Sequence, residues 1–227
     1  MNNSPIMPRK IAWSIINEFT SKNHRLSILT SKHIENNNKI LNNTDKRFIT
    51  FLIQGTVRFQ GRLDFEIDNV YHGDFIKLKP QLQNLLRLGA FQIMYMDNVP
   101  NYAAVTTSVQ LAKKFNQRLA GLTNALLRKL ISIEKYPEPT KESSLIELSN
   151  YLSHPEWLMN KWINDLGFEK AKNIANWNNI TPQSWFRINL LKYSIKDFEE
   201  YLNDENIKYD IFDENNIFFK VHETQSL

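Results

Sequence analysis

The sequence predicts a mainly α protein, in which an all-helical first half is followed by a small α+β unit. Three observations support this fold class. Apolar residues recur at helical spacing through most of residues 1–135, a nearly all-apolar segment lies among them, and short strand-like segments occur near the C-terminal end. The length of 227 residues suits one large domain or two small ones.

The segment 81–96 is predicted to be the central core helix. Its main apolar stripe is Leu82, Leu85, Leu86, Gly89, Ile93 and Met96. Polar residues interrupt the segment well before the ~18 uncharged residues that a membrane span needs. Arg87 lies among leucines and therefore needs a partner, and Gly89 predicts the close approach of another helix.

The other elements follow in order along the chain. Apolar spacing predicts helices over 8–19 and 26–34, then a long helix that begins at Thr44 or Asp45 and runs to residue 59. Further helices are predicted over 65–71, 101–114 and 119–130. A linker is expected at 136–144, where Pro137 and Pro139 lie in a polar stretch.

The second half, residues 145–227, is predicted to be a helical segment joined to a small α+β domain. Helices are expected over 145–152, 155–166 and 168–177, with Pro155 opening the second of them. Strands are expected over 185–191, 207–212 and 217–221, with one more helix over 195–202. The sequence therefore divides into a helical domain (1–135), a linker (136–144) and a second domain (145–227).

Charge is distributed unevenly along the chain, although the net charge is only +4. Residues 1–135 hold 19 Lys and Arg against 9 Asp and Glu, a balance of +10, while residues 136–227 hold 9 against 15, a balance of −6. The basic half is the candidate for an anionic partner, most simply a nucleic acid.

Several functional classes are excluded or disfavoured. The chain has no cysteine, so it has no disulfide, no cysteine-ligated zinc and no cysteine nucleophile. The five histidines show no metal-ligand spacing, and the glycines form neither a dinucleotide fingerprint nor a P-loop. Neither a secretory signal nor a transmembrane segment is visible, which predicts a cytoplasmic protein without membrane contact. We expect no catalytic residue, no cofactor and no metal, hence no enzyme activity in this chain alone.

The basic residues at or near helix ends are the predicted RNA contacts, since they could converge on one face of a helical bundle. They are Arg9, Lys10, Arg47, Arg58, Arg62, Arg118, Arg128 and Lys129. Two alternatives remain open: these charges are ordinary solvated surface, or Arg47 and Arg58 are buried structural arginines. No aromatic motif of the RNP type is visible, so recognition is expected from helices rather than from a stacking sheet.

Several motifs occur in an order that resembles a known family. In the first half they are Asp45-Lys46-Arg47, Gly55-Thr56-Val57-Arg58, Leu86-Arg87-Leu88-Gly89-Ala90-Phe91-Gln92, Val99-Pro100, Ala103-Ala104-Val105 and Ala120-Gly121-Leu122-Thr123-Asn124-Ala125-Leu126-Leu127-Arg128. In the second half they are Ser153-His154-Pro155-Glu156-Trp157, Trp162, Gly167, Asn178-Asn179, Pro182 and Arg187-Ile188-Asn189. Together they resemble the NusB-like RNA-binding domain and the pre-catalytic region that begin the Sun/Fmu-type ribosomal RNA small-subunit cytosine-5 methyltransferases (methyltransferase B).

The resemblance implies a NusB-like fold and small-subunit ribosomal RNA as partner. In that family a Rossmann-like domain with an S-adenosylmethionine loop and catalytic cysteines follows, and the present sequence contains neither. The resemblance therefore implies substrate recognition without catalysis, in a natural truncation, a split subunit or a fragment. Two rivals stay open: a transcription antitermination module that pairs with a ribosomal protein, and the recognition half of an enzyme whose catalytic domain is a separate chain.

Overall fold

The computed structural model describes residues 5–22, 24–133, 138–182, 184–211 and 217–221, and the described part of the chain divides into two compact units, Met1–Asn179 and Ile180–Leu227. Helices predominate, and one small sheet lies in the second unit, so the predicted fold class is confirmed. In the first unit the helices are α1 (Ile6–Ser21), α2 (Leu26–Asn36), α3 (Asn43–Arg58), α4 (Gln60–Val70), a 3-10 helix (Phe75–Lys77), α5 (Pro80–Tyr95), α6 (Asn101–Phe115), α7 (Leu119–Ile131), α8 (Leu145–Tyr151), α9 (Glu156–Leu166) and α10 (Phe168–Asn179).

Helix α5 is the central helix of the first unit, as predicted. It packs against α1, α3, α4, α6 and α7, and every residue from Asn84 to Gln92 is buried. Two glycines allow this close packing. A Cβ at Gly55 on α3 would overlap the ring of Phe91, and a Cβ at Gly89 would lie 2.7 Å from Cδ1 of Leu127 on α7. The helix crossing predicted at Gly89 is therefore confirmed.

Arg87 lies at the centre of a buried polar network, which supplies the partner that the sequence predicted it to need. Its Nε and Nη2 donate to the two carboxylate oxygens of Asp64, at 2.5 and 2.8 Å, and its Nη1 donates to Oδ1 of Asn84 at 2.9 Å. The amide of Asn84 in turn donates to Asn17 and Thr20 on α1. A bidentate arginine–carboxylate pair compensates the cost of burying the charge and links α4, α5 and α1.

Helix α8 packs against α4, α9 packs against α8, and α10 packs against α9, so residues 145–179 group with the first compact unit rather than with the sheet, whereas the predicted division lies at 136–144. Helix α8 contacts α4, where the guanidinium of Arg62 lies 3.5 Å from the ring centroid of Tyr151. The hydroxyl of Ser153 accepts the backbone N–H of Arg62 at 2.9 Å, which satisfies a donor in the first turn of α4. Contacts of this kind keep residues 145–179 in the first compact unit.

Several predicted helix starts differ by a few residues from those observed, among them α1, which begins at Ile6 rather than Pro8, and α4, which begins at Gln60 rather than Phe65. The N-cap of α3 is Asn42 rather than Thr44 or Asp45, and its side chain exchanges hydrogen bonds with Asp45 in a capping box. Pro155 occupies the N-cap position of α9 instead of the first helical position. Among the described residues, no helix is long and apolar enough to cross a bilayer.

The second unit contains β1 (Ser184–Arg187), α11 (Ile195–Asp204), β2 (Tyr209–Ile211) and β3 (Phe218–Val221). The strands form an antiparallel sheet in the order β1-β3-β2. Helix α11 covers one face, on which Phe219 is fully buried and its ring centroid lies 5.2 Å from that of Phe198. The predicted strands are confirmed as shorter segments, and Phe212 lies outside the described residues.

Candidate nucleic-acid interface

A groove runs along the contact between α6 and α7. These helices are joined by three residues and pack side by side over much of their length, as expected for an antiparallel pair. The groove has a volume of about 500 Å³ and is lined by Tyr102, Val105, Thr106, Val109, Gln110 and Lys113 of α6 and by Asn124, Arg128 and Ile131 of α7. The described lining contains two cations and no acidic residue.

A second depression continues from the same groove. It has a volume of about 370 Å³ and shares Gln110 and Lys113 with the first, to which it adds Lys114 and Ile6 of α1. Lys113 and Lys114 form the last turn of α6, and both are exposed. The combined surface, called here the α6–α7 groove, therefore offers three cations along a partly apolar channel.

Arg118 and Lys10 lie beside this groove. Arg118 is exposed at the N-cap of α7, where its backbone N–H donates to Oδ1 of Asn116 in the turn after α6. Lys10 is exposed on α1, one helical turn after Ile6, and therefore shares a helix face with it. Arg128 is exposed and its Nε donates to Oδ1 of Asn124, 3.1 Å away, which holds the guanidinium over the groove.

The remaining exposed candidates are not brought together by the described contacts. Lys129 donates from Nζ to the carbonyl of Val70, the last residue of α4, at 3.2 Å. A cation at a helix C-terminus is favoured by the helix dipole, so this lysine also has a structural role. Arg47 is exposed and Arg58 is half-buried, and they lie near opposite ends of α3, roughly 16 Å apart along the helix axis.

Arg9 is buried, contrary to its prediction as an RNA contact. Only 8% of its surface is exposed, its Nε donates to Oε1 of Gln92 at 2.6 Å, and its Nη1 donates to the carbonyl of Pro5 at 2.8 Å. The guanidinium also lies 4.7 Å from the ring centroid of Phe48, and burial lowers the pKa of Arg9. All of these partners are internal, so Arg9 is removed from the set of contacts.

Arg62 is also buried and is removed for the same reason. Its Nε lies 2.6 Å from Oε1 of Glu66, one turn further along α4, and only 7% of its surface is exposed. Burial raises the pKa of Glu66, and the positive charge of Arg62 opposes this shift. With Tyr151 stacked on its guanidinium, Arg62 connects α4 to α8 instead of facing solvent.

The sequence-based selection omitted Lys113, Lys114 and Tyr102. The two lysines end α6, and Tyr102, which is 75% exposed, lines the opposite end of the same groove. The available signal was that the α6 residues lining the groove recur at spacings of four, three and four residues, namely Tyr102, Thr106, Val109 and Lys113, but α6 was interpreted as a packing helix. No group of three or more metal-ligating side chains occurs in the described part of the chain.

Curated relatives match most of this chain but less than half of their own length. A probable ribosomal RNA small subunit methyltransferase B of Synechocystis sp. is 29% identical over 203 residues, which cover 89% of this chain and 45% of the relative. The protein of the same name from Bacillus subtilis is 29% identical over 191 residues, covering 82% of this chain and 42% of the relative. The similarity therefore concerns one part of a longer protein.

Structural and family comparisons agree with this similarity. The crystal structure of PH0851 matches the whole chain with a TM-score of 0.59 at 18% identity and is itself covered to 50%, which shows a shared fold. Residues 154–215 match the methyltransferase RsmF/B-like, ferredoxin-like domain. Residues 7–132 match the NusB family, so the chain belongs to the NusB family and carries a ferredoxin-like domain of the RsmF/B type after its NusB region.

Proposed function

We propose that this chain is an RNA-binding module that recognises small-subunit ribosomal RNA and does not itself transfer a methyl group. The names of its relatives describe enzymes that act on that RNA. The matched part of the relatives is less than half of their length, so recognition and catalysis need not reside in the same segment.

The α6–α7 groove carries this proposal. Lys113, Lys114 and Arg128 line it, and Arg118 and Lys10 lie beside it. Phosphate oxygens are bound by exposed cations of this kind, and the partly apolar channel between them suits the sugar and base surfaces of a nucleic acid. Arg47, Arg58 and Lys129 remain proposed as peripheral contacts because they are fully or partly exposed.

The absence of catalysis is proposed from the chemistry of the related enzymes. Cytosine-5 methylation uses a thiolate to form a covalent adduct that activates the ring, and this sequence has no cysteine. That group would have to come from outside these 227 residues. Incubation of the purified chain with labelled S-adenosylmethionine and ribosomal RNA is expected to give no methyl transfer, and any transfer by the pure chain would overturn this part of the proposal.

A binding titration against small-subunit ribosomal RNA fragments at several salt concentrations tests the RNA assignment. We expect affinity to fall steeply with salt, because phosphate contacts release counterions. No binding, or binding with a flat salt response, would refute the assignment and favour a protein-interaction module.

The groove is tested by the double variant Lys113→Glu/Arg128→Glu. Loss of two phosphate contacts should reduce the slope of log affinity against log salt by about 1.4 for single strands, at ~0.7 for each contact. Both side chains are exposed, so the melting temperature should change little. The matched control is Lys161→Glu/Lys170→Glu, which makes the same charge change on α9 and α10. An equal loss of affinity in the control would show that only total charge matters and would refute the groove.

A further inference from the structure

The sheet of the second unit has two faces with different chemistry. On one face Phe219 is buried under α11, and the ring centroid of Tyr209 lies 5.4 Å from that of Phe219. Side chains alternate between faces along a strand, so Phe218 and Lys220 of β3 lie on the opposite face. The register places Arg187 opposite Phe218 and Trp185 opposite Lys220, which puts these β1 side chains on the same face, opposite the one that α11 covers.

Two aromatic and two cationic residues therefore alternate on this face, so that each aromatic residue of one strand is paired with a cation of the other. Directly paired side chains lie about 5 Å apart and the diagonal pair Trp185 and Phe218 about 7–8 Å apart. Trp185 is 43% and Phe218 39% exposed, and Arg187 is also exposed. The side chain of Lys220 is 24% exposed, and its Nζ lies 4.0 Å from Oδ2 of Asp210. With Asp210 included, the two cations and one carboxylate on this face give a net charge of +1.

We propose that this face, formed by Trp185, Arg187, Phe218 and Lys220 and called here the open sheet face, binds single-stranded RNA by base stacking. This inference rests on the proposed function and adds a second RNA contact, with a preference for unpaired bases. It departs from the sequence-based expectation that recognition comes from helices rather than from a stacking sheet. Aromatic rings on a sheet stack with unpaired bases, and interleaved cations attract the phosphates that join them. A purely apolar protein partner would have to desolvate Arg187 and Lys220 without compensation.

Single strands are favoured over duplexes by the same geometry. Bases in a duplex are already stacked on each other, and their faces cannot reach a flat protein surface. The α6–α7 groove, in contrast, contacts the backbone and can accept either form. The open sheet face also gives a role to the motif Arg187-Ile188-Asn189. Ile188 is 5% exposed and anchors the end of β1, and Asn189 accepts the backbone N–H of Leu191 in the following turn. Arg187 is the residue of the motif that contacts the RNA in this proposal.

The double variant Trp185→Leu/Phe218→Leu tests the proposal in the full chain. Affinity for a fluorescein-labelled 12-nucleotide single-stranded RNA should fall at least about tenfold, since loss of one stacked base costs about 5- to 150-fold. Affinity for the corresponding duplex should be unchanged. Trp185→Phe keeps an aromatic ring and should retain binding, and Trp177→Leu removes a tryptophan that is 76% exposed on α10 and serves as the matched control.

The outcomes separate this proposal from the proposed function. Wild-type affinity for single strands in the double variant would overturn the open sheet face while leaving the groove assignment intact. Loss of duplex binding in Lys113→Glu/Arg128→Glu, with single-strand binding still dependent on Trp185, would support the sheet alone. Duplex binding without single-strand binding by the wild-type chain would overturn the open sheet face alone, and no binding of either form would overturn both.

Ultraviolet cross-linking of the wild-type chain avoids any folding defect of the variants. Cross-linked nucleotides should map to peptides that contain Trp185 or Phe218, and cross-links confined to α6 and α7 would overturn the proposal. Sedimentation velocity measures the oligomeric state of the wild-type chain and of the double variant. If the wild-type chain self-associates and the double variant does not, while RNA binding is unchanged, the face binds a second copy of this chain and the RNA inference is refuted.

Discussion

Three helical glycines give a graded test of how closely the helices of the first unit pack. Gly55, Gly89 and Gly121 all lie within α-helices, so replacement by alanine gains up to about 1 kcal/mol of helix propensity at each position. The space around them differs. A Cβ at Gly121 meets nothing within 4 Å, a Cβ at Gly89 reaches Leu127 at 2.7 Å, and a Cβ at Gly55 overlaps the ring of Phe91.

The expected changes in the free energy of unfolding follow from these distances. Gly121→Ala should stabilise the protein by about 0.5–1 kcal/mol. Gly89→Ala should range from neutral to a loss of about 2 kcal/mol, because overpacking costs ~1–3 kcal/mol and the contact is with the end of a flexible side chain. Gly55→Ala should lose about 2 kcal/mol or more.

The larger loss at Gly55 has a specific origin. Phe91 is 2% exposed and stacks with Tyr95 at a centroid distance of 5.4 Å and with Phe59 at 6.2 Å. The ring cannot move away from a new methyl group without disturbing that stack. The double variant Gly55→Ala/Phe91→Leu should therefore recover part of the loss, which a double-mutant cycle would measure as a coupling energy.

Urea unfolding followed by far-ultraviolet circular dichroism measures these four variants and Phe91→Leu, which completes the double-mutant cycle. The midpoints should fall in the order Gly121→Ala, wild type, Gly89→Ala and Gly55→Ala, with similar slopes. If Gly55→Ala proved as stable as Gly121→Ala, the close approach of α3 and α5 would not exist in solution and the packing argument would be refuted.

Two further predictions concern charged groups. Arg87→Leu should lower the free energy of unfolding by about 3 kcal/mol in urea titrations, because it leaves the Asp64 carboxylate, only 30% exposed, without its bidentate partner. Adding Asp64→Asn should restore most of this loss. If it restores none, the pairing is contradicted. Glu18 accepts hydrogen bonds from His33, Lys22 and Lys32, which lower its pKa from 4.5 to about 2. A carboxyl group whose pKa is lower in the folded state stabilises the fold above the pKa of the unfolded chain, and this stabilisation is lost as pH falls through the folded-state pKa. The melting-temperature difference between wild type and Glu18→Gln should therefore shrink between pH 5 and pH 2. A constant difference would contradict this linkage.

The sequence predicted those features that depend on local pattern. The core helix was predictable because its apolar stripe, the interrupting Arg87 and the small Gly89 all have direct packing consequences. The start of α3 was harder, since Asn42, Asn43, Thr44 and Asp45 are all suitable cap residues. Asn42 is selected because Asp45, three residues later, returns the hydrogen bond, and the neighbouring residues lack that reciprocal partner.

The fate of the arginines depended on contacts far along the chain and could not be predicted from helix position. Arg9 is buried because Gln92 of α5 accepts from it, and Arg62 is buried because Tyr151 of α8 covers it. Arg128 has the same kind of helix-end position and remains exposed. Charge near a helix end therefore identifies a candidate contact, and only the tertiary neighbours decide between a structural and a binding role.

The two proposed RNA surfaces differ in the physical term that each contributes. The α6–α7 groove offers cations to the backbone, so its effect should appear mainly as the dependence of affinity on salt. The open sheet face offers Trp185 and Phe218 to base faces, so its effect should appear mainly as a difference between single and double strands. Because salt and strandedness can be varied independently, each surface can be assessed in the presence of the other. A substrate with a paired stem beside an unpaired loop would satisfy both, whereas a uniform duplex would use the groove alone.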